Sequence, residues 1–312
     1  MIHLICPNPA VDRTLLVKEF SKSIPNRPIQ IKEYPGGKSF NVAYAIKKEE
    51  SNLDIKVHTI LGGFSGKYVK ELAEERGVPI VETIVEKNTR TCNIVVDVDN
   101  STIYPIYEKG FELAPNVLDS FTNKLIESIQ NNDIVVFSGS FMKGFPENYI
   151  SQLRNTVANK KVDFYVDTTG DYLIDAYNSK PYLIKVNDEE IIDIFNSVKL
   201  NSISDYMSLL KNNIDPDIPY FIITLGAKGA VAKLKNKFFH VIAPPTDAKN
   251  PIASGDFFLG AFVSFLDNNK GSDLEVLKKA ITYSTANCLN WFPEFSISDS
   301  KKFLKQIQVV EF

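Results

Sequence analysis

Apolar residues along this chain come in short blocks, and between the blocks the apolar positions recur at helical spacing. Ile55–Leu61 predicts a strand, followed after Gly62-Gly63 by a helix over Ser65–Arg76. Ile134–Ser138 predicts a buried strand ending at Gly139, and Phe164–Asp167, Tyr182–Lys185 and Phe221–Leu225 have the same character. Met1–Pro7 predicts another short strand, and helices are predicted over Leu118–Gln130 and Asn148–Asn159. This alternation builds an α/β fold with a mainly parallel sheet covered by helices on both faces. Such sheets bind ligands beyond the carboxyl ends of their strands, so the polar residues ending each strand come first as site candidates. Two stretches break the rhythm. Residues 11–34 and 88–108, with loose boundaries, hold the β-like runs Thr14–Val17, Ile29–Tyr34, Thr91–Val98 and Thr102–Tyr107, and no helix. Periodicity leaves two arrangements open for them, a small sheet standing off the main body or two edge hairpins.

Composition narrows the class. Of 312 residues, 44% are apolar and 23% charged, which suits a globular chain with a sizeable core. Thirty-five basic against 38 acidic residues give a charge of −3, so neither nucleic acid nor an anionic membrane is an expected partner. Cys6, Cys92 and Cys288 are far apart and form no C-x-x-C pair, which argues against a disulfide framework or zinc knuckle. The N-terminus lacks the basic and long apolar regions of a signal peptide, and no apolar run reaches the ~18 residues of a membrane helix. A cytoplasmic location is the expectation. His3, His58 and His240 stand apart, without an H-E-x-x-H motif.

The strongest chemical signal is Asn250-Pro251-Ile252-Ala253-Ser254-Gly255-Asp256, leading into the apolar run Phe257–Phe262. The small residues Ala253, Ser254 and Gly255 let helix-opening N–H groups approach an anion. Asp256 beside them is either a general base for a hydroxyl attacking a phosphoryl group or a carboxylate that simply complements the helix dipole. A second signal is Tyr34-Pro35-Gly36-Gly37-Lys38-Ser39-Phe40-Asn41, running into a helix over Asn41–Ile46. Lys38 and Asn41 lie three apart and can project from one turn, lysine toward phosphate and asparagine toward sugar hydroxyls. An ordinary Gly-Gly turn with a solvated lysine fits equally. Gly62-Gly63-Phe64-Ser65-Gly66-Lys67-Tyr68 is one residue short of a Walker A loop, and G-x-G-x-x-G is missing. Arg13, Arg27 and Arg90, three of the five arginines, fall in the two β insertions. They would suit a lid over a phosphorylated ligand, or merely protect edge strands from aggregation.

Together these motifs resemble the ribokinase-like (PfkB) carbohydrate kinases, and within them the hexose-phosphate kinase branch of 1-phosphofructokinases and tagatose-6-phosphate kinases. Asn250-Pro251-x-Ala253-Ser254-Gly255-Asp256-x-x-x-Gly260-Ala261 fits the second family signature, and Gly36-Gly37-Lys38-x-x-Asn41 fits the first. Asn8-Pro9-Ala10-x-Asp12, Asn26-Arg27, Thr89-Arg90-Thr91 and Ser138-Gly139-Ser140 match further elements of the branch. The resemblance covers essentially the whole chain. It implies one three-layer α/β/α kinase unit over residues 1–312, with a mainly parallel sheet and a small β lid made from the two irregular stretches. It also implies a homodimer paired through that lid.

The resemblance assigns roles residue by residue. Asp256 is the implied catalytic base, and the Ala253–Asp256 backbone, through Ala253, Ser254 and Gly255, the anion hole that meets the γ-phosphoryl of ATP. Asp12, Gly36, Gly37 and Asn41 would hold the sugar hydroxyls. Lys38, Arg90, Arg27 and Ser138 would hold the substrate's own phosphate. Lys185-x-Asn187-x-x-Glu190 resembles the family's K-P-N-x-x-E, which places Lys185 and Asn187 at ATP and makes Glu190 an indirect contact of Mg²⁺. Thr224, Gly226 and Gly229 of Thr224-Leu225-Gly226-Ala227-Lys228-Gly229 would form the nucleotide loop, and Asn287 would line the adenine pocket. The chain departs from the pattern at Ser39-Phe40, Val186, Glu108-Lys109-Gly110-Phe111 and Phe257-Phe258. These departures bear on the substrate more than on the reaction class. The implied activity is ATP- and Mg²⁺-dependent phosphorylation of a ketohexose phosphate, with fructose 1-phosphate the first choice and tagatose 6-phosphate the second. A non-catalytic sugar-phosphate or nucleotide sensor on the same fold is the reading from a different class; the intact Asp256 and its Ala-Ser-Gly turn weigh against it.

Overall fold

The computed structural model describes residues 1–48, 52–267 and 271–312. Strands β1 (Ile2–Cys6), β2 (Ala10–Val17) and β3 (Gln30–Gly36) open the chain, followed by β4 (Ile55–Gly62), β5 (Ile80–Val85), β6 (Arg90–Asp97), β7 (Thr102–Tyr107) and β8 (Ile134–Ser138). The later strands are β9 (Asp163–Asp167), β10 (Leu183–Asn187), β11 (Tyr220–Thr224), β12 (Ala230–Leu234), β13 (Lys237–Ile242) and β14 (Gln308–Glu311). The helices are α1 (Lys38–Lys48), α2 (Gly63–Glu75), α3 (Pro115–Ser128), α4 (Tyr149–Thr156), α5 (Asp171–Asn178), α6 (Ile191–Ile194), α7 (Ile203–Asn212), α8 (Ser254–Asp267), α9 (Asp273–Cys288) and α10 (Ile297–Leu304).

Among the described residues, ten strands form the central sheet in the order β14-β13-β12-β11-β10-β9-β8-β1-β4-β5. From β5 through β11 all pairings are parallel, and β12, β13 and β14 close one edge antiparallel. Side chains alternate between the two faces, and both faces are covered, so the central strands read as continuous apolar runs. Leu4 and Val136 enter the core beneath α1, α8 and α9, whereas Ile5, Val135 and Phe137 enter the opposite core with α3 and α4. Phe221 and Ile223 do the same against α7. The result is a three-layer α/β/α sandwich. No helix among the described residues is long and apolar enough to cross a membrane.

The two irregular stretches form one separate sheet, β3-β2-β6-β7, instead of two edge hairpins. The deciding contact is the parallel pairing of β2 with β6, from Ala10–Arg90 to Val17–Asp97. Local periodicity cannot register a pairing between strands 80 residues apart. This sheet buries Leu16, Tyr34, Ile94 and Val96 against Phe292, Trp291 and Ile252.

Element ends differ from the predicted bounds where a distant residue supplies the cap. Helix α2 starts at Gly63 instead of Ser65, because Asn88 Oδ1 accepts the Phe64 N–H at 3.0 Å. Helix α3 starts at Pro115 instead of Leu118, with proline at the first position, where its missing N–H costs nothing.

At the amino end of the central strands lies a buried polar chain. His3 Nδ1 meets His58 Nε2 at 2.9 Å, His3 Nε2 meets Asp133 Oδ2 at 2.9 Å, and the Met1 ammonium reaches Asp133 Oδ1 at 3.0 Å. Burial pushes both imidazoles down, His58 to about 3, with the neighbouring His3 and Lys56 adding repulsion. The unfolded chain therefore takes up these protons first, so this contribution to stability is complete above pH ~6.5 and declines as the pH falls toward 3. Urea denaturation should show wild-type protein losing about 2 kcal/mol more than His58→Gln between pH 7 and pH 5. Equal losses in the two proteins would contradict this account.

Candidate functional site

The carboxyl ends of β1, β8, β9, β10 and β11 open into one cleft of about 760 Å³, roofed by the small sheet. It lies beside β1, whose two neighbours β4 and β8 follow it on opposite sides, the switch point where α/β sheets hold ligands. The cleft is lined by Asp12, Gly37, Lys38, Asn41, Arg90, Ser138, Lys185, Asn187, Glu190, Thr224, Gly226, Gly229 and Ala253–Asp256. Residues spread over 245 positions thus converge.

Helices α1 and α8 bring the two glycine-rich motifs together. At Gly260 an added Cβ would lie 2.6 Å from Ala45 Cβ and 2.6 Å from the Val42 carbonyl, so α8 crosses α1 nearly backbone to backbone. Their N-termini then meet. Asn41 Nδ2 donates to Asp256 Oδ2 at 2.9 Å, and both side chains are buried. Burial pushes the Asp256 carboxyl up to about 7, with Lys38, Asn41 and Lys185 pulling against it and Asp167 reinforcing it.

The turn ahead of α8 is strained. Ala253 has φ of 67°, a left-handed conformation that costs a non-glycine residue about 1–3 kcal/mol and persists where the surroundings over-determine it. Within this turn the Ser254 N–H bonds to Pro251 O at 3.1 Å and the Asp256 N–H to Ala253 O at 3.0 Å. A Cβ on Gly255 would sit 2.9 Å from Lys185 Nζ, so the lysine ammonium rests directly over the turn.

Lys185 is one arm of a buried charge network. Asp167, at the end of β9 and fully buried, takes Lys185 Nζ on Oδ2 at 2.9 Å and Lys38 Nζ on Oδ1 at 2.9 Å. Lys38 also reaches Glu190 Oε1 at 3.3 Å. Burial works against the Asp167 carboxylate, and the two ammonium groups outweigh it, so its pKa is lowered. For Lys38, burial opposes the charge, and Asp167, Glu190 and Asp256 reverse that and raise its pKa. Sequence reading passed over Asp167. Its signal was present, an aspartate ending a buried strand before Thr168-Thr169-Gly170.

Asn187 caps the turn into α6. Its Oδ1 accepts the Glu189 and Glu190 N–H groups at 2.9 and 2.7 Å, while Glu190 Oε2 accepts the Asn187 N–H at 2.9 Å. At the lid side, Asp12 packs against Gly36, where a Cβ would lie 2.3 Å from Oδ1. Burial pushes Asp12 up to about 6, against the pull of Arg90, the Gly37 N–H and the Cys92 thiol. Arg90 is braced on three carbonyls, those of Asn8 at 3.0 Å, Glu108 at 3.1 Å and Pro9 at 3.4 Å. Among the described residues, Ser138 Oγ and Asn8 Oδ1 are buried without a hydrogen-bond partner, and Ser140 Oγ accepts Asn8 Nδ2 at 3.3 Å.

Four residues singled out in the sequence lie off the cleft lining. Arg13 pairs instead with Glu33 at 3.2 Å on the lid. Arg27 sits exposed in the loop between β2 and β3. Gly36 makes room for Asp12 without facing the cavity. Asn287 is 1% exposed and donates to the Ile252 carbonyl at 2.8 Å, supporting the Ala253 turn from behind; Ser284, Thr285 and Cys288 of α9 line the cavity in its place. A helix position cannot be assigned to the cavity or its backing until the rotation of α9 is known. Cys6 and Tyr107 are further lining residues that no motif marked.

Known proteins share this architecture. The profile of the pfkB family carbohydrate kinase matches residues 8–288. A tagatose-6-phosphate kinase of Staphylococcus epidermidis is 28% identical over the full length of both chains. A 1-phosphofructokinase of Borreliella burgdorferi is 30% identical over 99% of this chain and 98% of its own. Among solved structures, phosphofructokinase-2 from Escherichia coli in complex with substrates and products superposes with a TM-score of 0.88 at 22% identity, covering 97% of this chain and 98% of that one. A possible 1-phosphofructokinase from Thermotoga maritima superposes with a TM-score of 0.87 at 19% identity, over 100% and 99%. Family profile, full-length relatives and fold agree, and the chain belongs to the pfkB family of carbohydrate kinases.

Proposed function

We propose that this chain is an ATP-dependent hexose-phosphate kinase, with tagatose 6-phosphate as its best-supported acceptor. The observation that carries the reaction class is the buried Asp256 held by Asn41 at the mouth of α8, with Lys185 over the adjoining Gly255. Two features favour a phosphorylated acceptor. Ser138 Oγ lines the cleft buried and unpartnered, and the Arg90 guanidinium, also in the lining, has five N–H donors and spends three on carbonyls. The Ser138 hydroxyl and the N–H donors Arg90 has left fit the acceptor's own phosphate. Tagatose 6-phosphate rather than fructose 1-phosphate is favoured by the staphylococcal relatives named tagatose-6-phosphate kinases, which match over full length, and by Asn88-Thr89-Arg90-Thr91-Cys92 on the lid strand. The Borreliella 1-phosphofructokinase keeps fructose 1-phosphate as the second reading.

The mechanism follows from the placement. Asn41 orients Asp256 through Oδ2, and Oδ1 is the atom we assign to the acceptor hydroxyl. A carboxyl near pH 7 accepts that proton as the oxygen attacks in line. The Gly255 N–H and Lys185 meet the charge that develops on the transferred phosphoryl group. Lys38 stands between the Asp167–Glu190 pair and Asp256, so it can follow that charge without leaving the cleft. We assign Arg90 and Ser138 to the substrate phosphate, Asp12 to sugar hydroxyls, and Thr224, Gly226 and Gly229 to the nucleotide. No group of three His, Cys, Asp or Glu side chains suited to a metal occurs among the described residues. Both oxygens of Asp167 and both oxygens of Glu190 are engaged by lysines or an N–H group. That donor set fits Mg²⁺ carried in on the triphosphate and touched by Glu190 through water. Mg²⁺ held there would neutralise phosphate charge.

The lid's outer face supports a homodimer. Leu15 lies opposite Ile31 and Val95, and Val95 lies opposite Tyr104, which puts all four on one face with the 59% exposed Ile106 at its edge. We assign that face to a second copy.

ADP release measured against tagatose 6-phosphate, fructose 1-phosphate, fructose 6-phosphate and free sugars tests the acceptor; turnover of free sugars alone would overturn the phosphosugar reading. Asp256→Asn should lose roughly 10²–10⁴-fold in kcat while still binding ATP. Because the base must be deprotonated, wild-type kcat/KM should rise with pH through about 7 and level off above it. Near-normal turnover in the variant would remove Asp256 from the base role. Arg90→Ala should raise the KM for the phosphosugar far more than that for ATP, and equal effects would exclude Arg90 as a phosphate ligand. Sedimentation should show a dimer that Val95→Lys converts to monomer; a monomeric wild type would refute the pairing.

A further inference from the structure

The anion-hole turn and the lid sheet are far apart in the chain, yet one short segment touches both. Residues 288–294 run on from the last residue of α9. On one side they are fastened to the turn before α8. Asn250, 2% exposed, donates from Nδ2 to Trp291 O at 2.8 Å, and its Oδ1 accepts the Ile252 N–H at 2.9 Å. The Lys249 and Asn250 N–H groups bond to Cys288 O at 2.7 and 3.3 Å. On the other side the segment grips strand β3, which runs straight into Gly36-Gly37-Lys38. Tyr34 donates its hydroxyl to Glu294 Oε1 at 3.0 Å, and Lys32 Nζ meets both Glu294 oxygens at 3.1 Å. Lys32 also lies 4.5 Å over the Phe292 ring. Phe292, Trp291 and Ile252 complete the apolar layer beneath Leu16, Ile94 and Val96. Asn290 stiffens the segment, donating to Ala286 O at 3.2 Å and to Glu294 O at 2.8 Å.

The two attachments differ in strength. The turn side consists of buried, backbone-anchored hydrogen bonds. The lid side depends on an ion pair whose members are 35% and 37% exposed, and such pairs contribute little on their own. The Tyr34 ring steadies it, because the Arg76 guanidinium lies 4.2 Å from the centroids of both Tyr34 and Tyr44. A rigid link to the nucleotide side with a yielding link to the lid is what a coupling element requires, since both sites then bias one packed segment.

We propose that residues 288–294 couple the anion-hole turn to the lid, with Glu294 and Tyr34 as the positioning residues through which nucleotide binding orders β3 and the Gly36–Asn41 segment. This rests on the reading of the cleft as a nucleotide and phosphosugar site.

Hydrogen–deuterium exchange on the full chain tests it, with Mg²⁺ and adenosine 5′-(β,γ-imido)triphosphate as the probe. In wild-type protein the nucleotide should slow exchange of residues 249–256 and, several-fold, of the lid segments 10–36 and 90–107. In Glu294→Ala the slowing over 249–256 should persist while the lid response falls by more than half. Glu294→Gln, which keeps an acceptor for Tyr34, should retain most of the response, and Tyr34→Phe, which keeps the ring between Arg76 and the lid core, should lose it. A merely structural Glu294 would change lid exchange equally with and without nucleotide, leaving the ratio untouched; that result overturns the proposal. So does wild-type protection of 249–256 without any lid response, which leaves the nucleotide reading standing. Protection of neither segment overturns both. The sole tryptophan, Trp291, gives a second readout, since its emission should shift on nucleotide addition in wild type and not in Glu294→Ala.

Discussion

The hydrogen bond between Asn41 and Asp256 joins residues 215 positions apart, and the cleft is organised around it. It forms because α8 crosses α1 at Gly260 with only the Ala45 methyl between them. The close crossing sets where both helix N-termini emerge, and therefore where a carboxylate stands relative to Gly37 and Lys38. Any side chain at Gly260 would have to push the helices apart. The cost would then be paid in site geometry as well as in packing.

Charge in the cleft is arranged around a second constraint, the burial of Asp167. A fully buried carboxylate is tolerable only when paired, and here two lysines pair it. Each lysine keeps a different neighbour: Lys185 lies over Gly255, and Lys38 reaches Glu190. The aspartate thus fixes two cations, one over the Gly255 turn and one beside Glu190. Asp256 stands just outside this network, close enough for Lys38 to temper its burial and too dehydrated to ionise as readily as a surface aspartate. Two carboxylates in one cleft are driven in opposite directions by their surroundings, which is the pattern expected where one holds charge and the other exchanges a proton.

The small sheet carries part of the cleft on a separate scaffold. Asp12, Arg90, Cys92 and Tyr107 come from it, and Lys38 and Asn41 follow directly from its strand β3. Its orientation over the main body is set by Tyr34, Phe292 and the Glu294 contact, together with the hydrogen bonds between Thr89 and Gly62 at the end of β4. Site geometry therefore depends on residues with no chemical part in the cleft.

Much of this was legible in the sequence, because the information was local. Short blocks of apolar residues between helical stretches are the direct signature of strands buried on both faces, so the layered α/β fold followed from periodicity. Small residues at 253–255 before an acidic residue, and Gly36-Gly37-Lys38 before an asparagine, marked both helix N-termini because a helix start needs such residues within a few positions. Tertiary structure decided what depends on long-range pairing. The β2–β6 ladder made one sheet from two stretches, and the rotation of α9 put Thr285 and Cys288 in the cleft and Asn287 behind it. The pairing of Asp167 with Lys38 and Lys185 is of the same kind: a single aspartate at a strand end looks like any other until folding buries it, and only burial turns an ordinary charge into one that must gather partners.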